Sequence, residues 1–193
     1  GTPPQGRADY AFFQHILASM DDKTGRCAIL FPHGVLFRDE EQSLREKLIK
    51  SDVVECVIGL GANLFYNSPM EACILICNNQ KRSTLKNKII FINALKEVTR
   101  KNAESYLEKA HIEEIVSAYF NASEIKNFST VASIGQIEHY NYNLNISLYA
   151  NALNNEDSFN VLSVTETLSN WERVHAEMTS SITKMFTLIN ERV

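Results

Sequence analysis

The hydrophobic positions in the first half of the chain form two kinds of pattern. Short unbroken apolar runs between turn residues are typical of strands that are covered on both faces. Apolar residues three and four positions apart are typical of helices that bury one face. These patterns predict strands at residues 27–31, 53–58, 72–77 and 88–92, and helices at residues 9–20 and 39–49.

The pattern changes near Leu95. Residues 102–120 have the spacing of a helix, whereas residues 129–149, rich in Asn and Tyr, are predicted to be a loop or short extended structure. A long helix is predicted at residues 165–190. Its inner positions alternate three and four apart over about three heptads, the lower limit for a coiled coil. They are Leu168, Trp171, His175, Met178, Ile182, Met185 and Ile189.

Strands that alternate with helices, followed by closely spaced strands, indicate one half of an α/β sheet. We therefore expect residues 1–95 to form this half sheet and residues 96–193 to form a helical C-terminal region. Gly59-Leu60-Gly61 follows a predicted strand, as in a dinucleotide-binding loop, but no helix-forming stretch follows and Pro69 intervenes. A nucleotide-binding half would therefore lie upstream.

The charge and hydrophobicity of the chain indicate which partners it binds by itself. Its 193 residues include 19 basic and 23 acidic ones, a net charge of −4, and no basic stripe is visible. We therefore expect other parts of an assembly to supply the basic residues that bind DNA phosphates. No apolar run approaches the ~20 residues of a membrane span, and no leader opens the chain. These features predict a cytoplasmic protein without a membrane segment, whose Pro- and Gly-rich start is typical of a loop cut mid-protein.

The four cysteines lie in or beside the apolar runs. Cys73 and Cys77 are four apart on a predicted strand and would share a face. The CxxC spacing of a zinc knuckle is absent, however, and no histidine lies at ligand spacing. We expect buried reduced thiols and no metal site.

Four segments of the chain together resemble the modification subunit of type I restriction–modification systems. They are residues 8–15 (ADYAFFQH), 25–38 (GRCAILFPHGVLFR), 57–68 (VIGLGANLFYNS) and 142–146 (YNLNI). One such segment would be a weak signal, but four in the family's order and at similar spacing, over residues 1–150, are specific. Two positions depart from the pattern: Gly61, where the family often has proline, and Leu148, where an arginine is common.

The resemblance implies the C-terminal half of a class I, Rossmann-like, S-adenosylmethionine-dependent methyltransferase sheet, followed by a helical region. It implies transfer of a methyl group from S-adenosylmethionine to adenine N6 in DNA. It also implies a specificity subunit and a restriction subunit as partners. In these systems DNA recognition lies with another subunit, so the chain does not reveal the target sequence.

The resemblance also shows what the chain lacks. In the family, a cofactor loop and an Asn-Pro-Pro-Phe tetrapeptide come earlier; neither occurs here, and Thr2-Pro3-Pro4-Gln5 is only an echo of the tetrapeptide. The tetrapeptide accepts the hydrogens of the adenine amine and stacks on the base, which must leave the duplex to reach it. We therefore expect no catalytic residue in this chain and no activity from it alone.

Candidates for contact with the target base follow two predicted strands, at the edge where open α/β sheets bind ligands. An aromatic side chain stacked on the base contributes about 1–3 kcal/mol. The alternatives are a loop anchored to the core by its aromatics and a histidine that only bonds a neighbouring loop. The candidates are Pro32, His33 and Gly34 after the first strand, and Phe65, Tyr66 and Asn67 after the second.

Other residues have two open interpretations. By the resemblance, Asp9 and Phe13 would line the cofactor's adenine side; the alternatives are a helix N-cap and a core aromatic. Arg38 and Arg45 would touch phosphate or lie on a solvated helix face. Residues 165–190 would bind the specificity subunit, associate with a second copy, or fold back on their own domain.

Two further classes of function are compatible with the sequence. A non-catalytic scaffold would keep the partner helix and lack the catalytic half. An unrelated nucleotide-binding α/β protein would share the strand and helix pattern only.

Overall fold

A computed structural model of the protein describes residues 1–66, 68–101, 104–150 and 161–190, with the side chains of the last helix described from 168 to 185. Gly1–Leu153 form one compact unit and Asn154–Val193 a second. The helices of the first unit are α1 (Asp9–Ala18), α2 (Gln42–Lys50), α3 (Lys109–Asn121) and α4 (Ile134–His139); its strands are β1 (Arg26–Pro32), β2 (Val54–Leu60), β3 (Ala72–Asn78), β4 (Lys88–Ala94), β5 (Thr99–Lys101), β6 (Glu104–Tyr106) and β7 (Ser129–Ser133). The second unit contains α5 (Val161–Asn190).

Five strands form one sheet, in the order β1-β3-β2-β4-β7. The pairs β1–β3, β2–β3 and β4–β7 are antiparallel, and β2–β4 is parallel. Strands β5 and β6 form a separate antiparallel hairpin. The architecture is mixed α/β, as predicted, but its sheet is largely antiparallel, which the apolar runs do not reveal.

The sheet separates two hydrophobic cores. One face packs against α1 and α2, and the other packs against α3. Strand β4 shows the alternation, since Ile89 and Phe91 join the first core while Ile90 and Ile92 join the second. Because both faces of β2 and β4 are covered, the middle of each strand is apolar at nearly every position; the buried Glu55 of β2 is an exception.

Strand β1 lies at the end of the sheet and is covered on one face only. Phe31 is buried on the covered face, whereas Ala28 and Leu30 on the other face are exposed, Leu30 to 50%. The prediction that this run is covered on both faces is therefore wrong for the described chain. The reason is that, among the described residues of the first unit, no helix or strand covers Ala28 and Leu30 on this face of β1.

The free edge of β1 offers unpaired backbone groups. His33 N–H donates to Glu71 O and Asn79 N–H donates to Gly25 O, so the odd-numbered residues of β1 point their backbone groups towards β3. The N–H and C=O groups of Ala28 and Leu30 therefore point away from the sheet. Proteins normally cover or block such an apolar edge, because it pairs readily with another strand.

The opposite end of the sheet is protected at β7. Ser129 exchanges two backbone hydrogen bonds with Ile125. The Ser133 N–H donates to the side chain of Gln136, within the capping box that begins α4. The chain itself thus satisfies the outward backbone groups at both ends of β7.

The region predicted to be helical from residue 96 onwards contains three strands. The helix predicted at residues 102–120 begins at Lys109, and the hairpin β5–β6 precedes it. Strand β7 lies within the stretch predicted to be a loop or short extended structure. Its sequence, STVAS, contains little apolar character, and it becomes a strand because it pairs along β4.

Helix α5 confirms the predicted closing helix. Of the predicted inner positions, five are large apolar side chains between 43% and 61% exposed: Leu168, Trp171, Met178, Ile182 and Met185. The Trp171 ring stacks on His175, with 5.1 Å between the ring centroids. The side chain of Ile189 lies outside the described residues. No helix in the described part of the chain is both long and apolar enough to span a membrane.

Candidate functional site

The segment after β1 turns at once into a short 3-10 helix, His33–Leu36. His33 is held by Glu71, which receives its backbone N–H at 3.3 Å and has its Oε2 3.5 Å from His33 Nδ1. His33 Nε2 is buried without a hydrogen-bond partner among the described residues. Burial lowers the pKa of His33, and the charge of Glu71 opposes this shift in part. His33 is therefore a neutral imidazole near pH 7, with one nitrogen left to bond.

Gly34 makes room for an arginine. A Cβ at this position would lie 2.8 Å from Arg38 Nε. Arg38 Nη1 donates to Asp9 Oδ2 at 2.9 Å and to Glu41 Oε2 at 3.3 Å. Glu41 is fully buried, and burial raises its pKa while Arg38 lowers it. An ion pair therefore fixes the cofactor-side candidate Asp9 to the segment that follows β1.

Helix α1 carries both cofactor-side candidates. Its N-cap is Ala8, so the interpretation of Asp9 as the N-cap is wrong; Asp9 is the first helical residue. Phe13 is 2% exposed, and its ring centroid lies 5.3 Å from that of Phe31. Phe13 is thus a core aromatic, and its contact with a cofactor stays a prediction.

The loop between β2 and β3 presents the aromatic candidates. Ser68 N–H donates to Phe65 O, which closes a tight turn. Phe65 is 37% exposed and Tyr66 92% exposed, so Tyr66 does not anchor the loop in the core. Asn67 lies outside the described residues.

Two hollows adjoin this loop. One, of about 210 Å³, lies between Pro32, Phe65 and Met70, and also includes Glu71, the partner of His33. The structure therefore brings Pro32, from the first group of target-base candidates, beside Phe65, from the second. Leu30, Met70 and Glu71 complete this site and were not singled out from the sequence. Glu71 directly precedes β3, and only the antiparallel pairing of β3 with β1 places it beside His33.

The second hollow, of about 440 Å³, lies between Phe65 and Tyr66 on one side and Glu104 and Ser105 of the hairpin on the other. The hairpin is tied to the loop by Ser105 N–H, which donates to Asn63 O at 3.1 Å. Another hollow, of about 580 Å³, lies along β7 and α4 and contains none of the candidate residues.

Gly59 and Gly61 serve packing. A Cβ on Gly61 would lie 2.6 Å from the backbone oxygen of Leu95, and a Cβ on Gly59 would lie 2.7 Å from a methyl group of Ile146. The departure from proline at position 61 thus coincides with a close approach of two backbone segments.

Of the four segments that carry the family resemblance, residues 25–38 adjoin each of the other three. Leu144 N–H donates to Leu36 O at 2.8 Å, and the Pro32–Phe65 hollow and the Asp9–Arg38 ion pair make the other connections. Arg45 is 1% exposed and donates to Tyr142 O and Arg38 O. Its interpretation as a solvated or phosphate-binding residue is therefore wrong. Among the described residues, no three His, Cys, Asp or Glu side chains come together as metal ligands.

The chain belongs to the N-6 DNA methylase family, whose sequence model matches residues 1–158. The family predicted from the four segments is thereby confirmed.

Individual relatives are subunits of type I restriction enzymes. The chain is 33% identical, over 92% of its own length, to the type I restriction enzyme MjaVIII methylase subunit of Methanocaldococcus jannaschii. That match covers 31% of the relative, and a second methylase subunit of the same organism is covered to 32%, so the chain spans about a third of their length.

Solved structures show the same relationship. The crystal structure of the type I restriction–modification system methyltransferase subunit from Streptococcus thermophilus is 36% identical, with a TM-score of 0.70, over 76% of this chain and 31% of that one. A chain from a structure of type I system assembly is 16% identical, with a TM-score of 0.56, over 96% of this chain and 41% of its own. This second likeness concerns the fold alone.

Proposed function

We propose that the chain is the distal part of the modification subunit of a type I restriction–modification system. In the complete protein it takes part in transferring a methyl group from S-adenosylmethionine to adenine N6 in DNA. The family match over residues 1–158 carries this proposal. The coverage of about a third of each relative supports the assignment to one part of a longer protein.

The open edge of β1 supports the distal assignment. Its outward backbone groups at Ala28 and Leu30, together with the exposed apolar face of the same strand, form a surface that another strand and its covering element would bury. We expect the upstream part, with the cofactor loop and the Asn-Pro-Pro-aromatic tetrapeptide, to supply them. The sheet would then continue across β1.

Each part has its own task in this proposal. The upstream part binds S-adenosylmethionine, which supplies the methyl group, and polarises the adenine amine. In this chain, Asp9 fits the cofactor side because Arg38 fixes its carboxylate while leaving it partly exposed. Phe65 and Tyr66 fit the base side, since stacking needs an accessible ring face. We expect Pro32, His33 and Gly34 to form the adjoining wall; of these, Pro32 lines the hollow beside Phe65.

Partners are expected at the helical end. Helix α5 presents large apolar side chains in heptad spacing, which suits a helix of the specificity subunit or of a second copy. We expect the specificity subunit to bring DNA and the restriction subunit to join the assembly. Such an assembly acts on chromosomal DNA in the cytoplasm.

The proposal is tested with labelled S-adenosylmethionine. The chain is produced alone, then with the coding sequence that precedes it, and then also with the specificity subunit. We expect label in DNA adenine from the complete assembly only. Replacing the Asn of the upstream tetrapeptide by Ala provides the inactive control.

Two outcomes contradict the proposal. One is methyl transfer by the 193-residue chain alone. The other is a complete, correctly assembled complex that binds DNA and S-adenosylmethionine without labelling adenine. The second result would favour the scaffold alternative.

A further inference from the structure

Two cysteines face each other across the outermost pair of strands. Cys27 of β1 and Cys77 of β3 are directly opposite in register, so their side chains leave the sheet on the same face. Cys27 is, like Gly25 and His33, an odd-numbered residue, and alternate residues of a strand direct their backbone groups to the same neighbour. The backbone groups of Gly25 and His33 are bonded to the β3 side. Cys27 and Cys77 therefore occupy a narrow, doubly hydrogen-bonded pair.

The two thiols differ in access. Cys27 is half-buried, Cys77 is fully buried, and both are free thiols. The other two cysteines have no cysteine opposite them, since Cys73 pairs with Phe31 and Cys56 pairs with Ile76. One accessible thiol beside one protected thiol is the arrangement of an attacking and a resolving cysteine.

The acidity of the thiols follows the same division. A hydrogen bond from Cys77 lowers the pKa of Cys27 to about 7, whereas its bond with Cys27, together with burial, raises the pKa of Cys77. Burial raises the pKa of Cys73 to about 12 and that of Cys56 well above its ordinary value. Near neutral pH, Cys27 is therefore the thiol with a substantial thiolate fraction.

We propose that Cys27 and Cys77 form a redox-active dithiol, a modification site that reacts with low-molecular-weight disulfides such as oxidised glutathione and closes into an intrachain disulfide. The Cys27 thiolate attacks one sulfur of the reagent, forming a mixed disulfide and releasing one reagent thiolate. Cys77 gives its proton to that thiolate and attacks the Cys27 sulfur, which releases the second reagent thiolate; this thiolate takes a proton from water. The two cysteines lose two electrons, and these reduce one reagent disulfide to two thiols.

Closure of this bond changes the edge of the sheet. The Cβ atoms of directly opposite residues in an antiparallel pair are about 4.5–5.5 Å apart, and those of a hydrogen-bonded pair lie towards the upper value. The Cβ atoms of a disulfide must approach to about 3.5–4.5 Å. The strands must therefore shift locally, and the shift falls on β1 because β3 is held on its other side by β2. A shifted β1 would pair less well with a strand of the upstream part. This consequence rests on the proposed function, whereas the thiol chemistry does not.

The test uses the 193-residue chain with oxidised glutathione at neutral pH, followed by acid quenching, alkylation and mass spectrometry. We expect the four free thiols to fall to two, with the Cys27 and Cys77 peptides joined. Cys77→Ser should stop at a stable mixed disulfide on Cys27, and Cys27→Ser should keep all its remaining thiols. Cys73→Ala is the matched control and should still close the bond.

Other results would overturn the proposal. These are a native chain that keeps all four thiols, or one that holds glutathione on Cys27 without ever linking it to Cys77. Alkylation rates across pH give an independent measure, with half-maximal reaction of Cys27 expected near pH 7. A midpoint near the ~8.5 of an ordinary thiol contradicts the assigned roles. These measurements detect the state of the thiols and do not depend on methyl transfer. Their failure would therefore be distinguishable from failure of the proposed function.

Discussion

At the scale of the residue, Arg38 joins parts of the chain that lie far apart in sequence. Its guanidinium bonds Asp9, 29 positions away, and also the buried Glu41. A buried carboxylate is tolerated only while it is paired, because burial favours its neutral form. Gly34 is needed for the same reason, since any side chain there would displace the guanidinium.

Arg38→Gln should lower the free energy of unfolding at pH 7.5 by about 2 kcal/mol. This is less than the ~3–5 kcal/mol expected for a fully buried pair, because Arg38 and Asp9 keep some contact with water. Urea unfolding measures the change. Lys109→Gln, which breaks the exposed pair with Glu113, is the control and should cost less than ~0.5 kcal/mol.

The deficit of this variant should depend on pH. The pKa of Glu41 is raised in the folded chain from its ordinary value of 4.5, and losing Arg38 raises it further. When the pKa of a carboxylate is higher in the folded than in the unfolded chain, the folded chain becomes less stable as the pH rises above the unfolded-state pKa. The deficit should therefore shrink as pH falls towards 4.5. A deficit that is constant between pH 7.5 and 4.5 would remove Glu41 from this explanation.

Gly61→Ala should destabilise the chain by about 1–3 kcal/mol, because the added Cβ meets the Leu95 backbone oxygen and the Val98 side chain. Gly135→Ala is the matched control: this glycine lies in α4 with space around it, so alanine should stabilise by about 0.5–1 kcal/mol. Thermal unfolding of both variants gives the comparison. Equal effects would mean that the close approach at Gly61 does not matter.

At the scale of the element, the loop between β2 and β3 carries the prediction on base binding. Tyr66→Ala should weaken DNA binding by the assembled enzyme by roughly 5- to 100-fold, since base stacking contributes about 1–3 kcal/mol. Tyr66→Phe should bind DNA as tightly as the parent enzyme, because phenylalanine keeps the aromatic ring. Phe120→Ala, also exposed but at the end of α3, should leave affinity unchanged. Equal affinities of the Tyr66→Ala variant and the parent enzyme would assign the loop another role.

Helix α5 carries a prediction on assembly. Met178→Asp places a charge in the apolar heptad positions and should weaken binding of the specificity subunit at least ~10-fold. Ser180→Asp changes an exposed position outside that set and should have little effect. Titration calorimetry compares the two variants. A loss caused by both, or by neither, would place the contact elsewhere.

The sequence predicted the elements with continuous apolar character and missed those without it. Strands β2, β3 and β4 were predictable because strands covered on both faces are apolar at most positions. Strand β7 was predicted only as part of a loop or short extended stretch, because its pairing with β4 decides its conformation. The prediction for β1 was wrong about its covered faces, since Ala28 and Leu30 remain exposed in the described chain.

The candidate site was predictable in part. The aromatic loop and the segment after β1 stood out by residue type, and the structure brings Pro32 and Phe65 together. Glu71 and Met70 could not be found, because no pattern in one sequence gives the strand order β1-β3-β2. The role of Arg45 was missed for the same reason, as its partner Tyr142 is 97 residues away.

At the scale of the whole molecule, the open edge of β1 predicts a pattern of hydrogen exchange. In the chain alone, the outward amides of Ala28 and Leu30 should exchange rapidly, whereas the amide of Ile29, directed at β3, should be protected. In the complete protein, the first two should slow by at least ~100-fold as a strand pairs with them. Rapid exchange of Ala28 and Leu30 in the complete protein would contradict a sheet that continues across β1.

The two ends of the sheet also determine what happens when the chain is concentrated by itself. Two copies can join β1 to β1 about a twofold axis, and this contact uses the open edge of both. No third copy can add in the same way, because the backbone groups at the ends of β7 are already bonded within the chain. Through its sheet edges alone, the concentrated chain should therefore form a closed dimer and not a growing fibre.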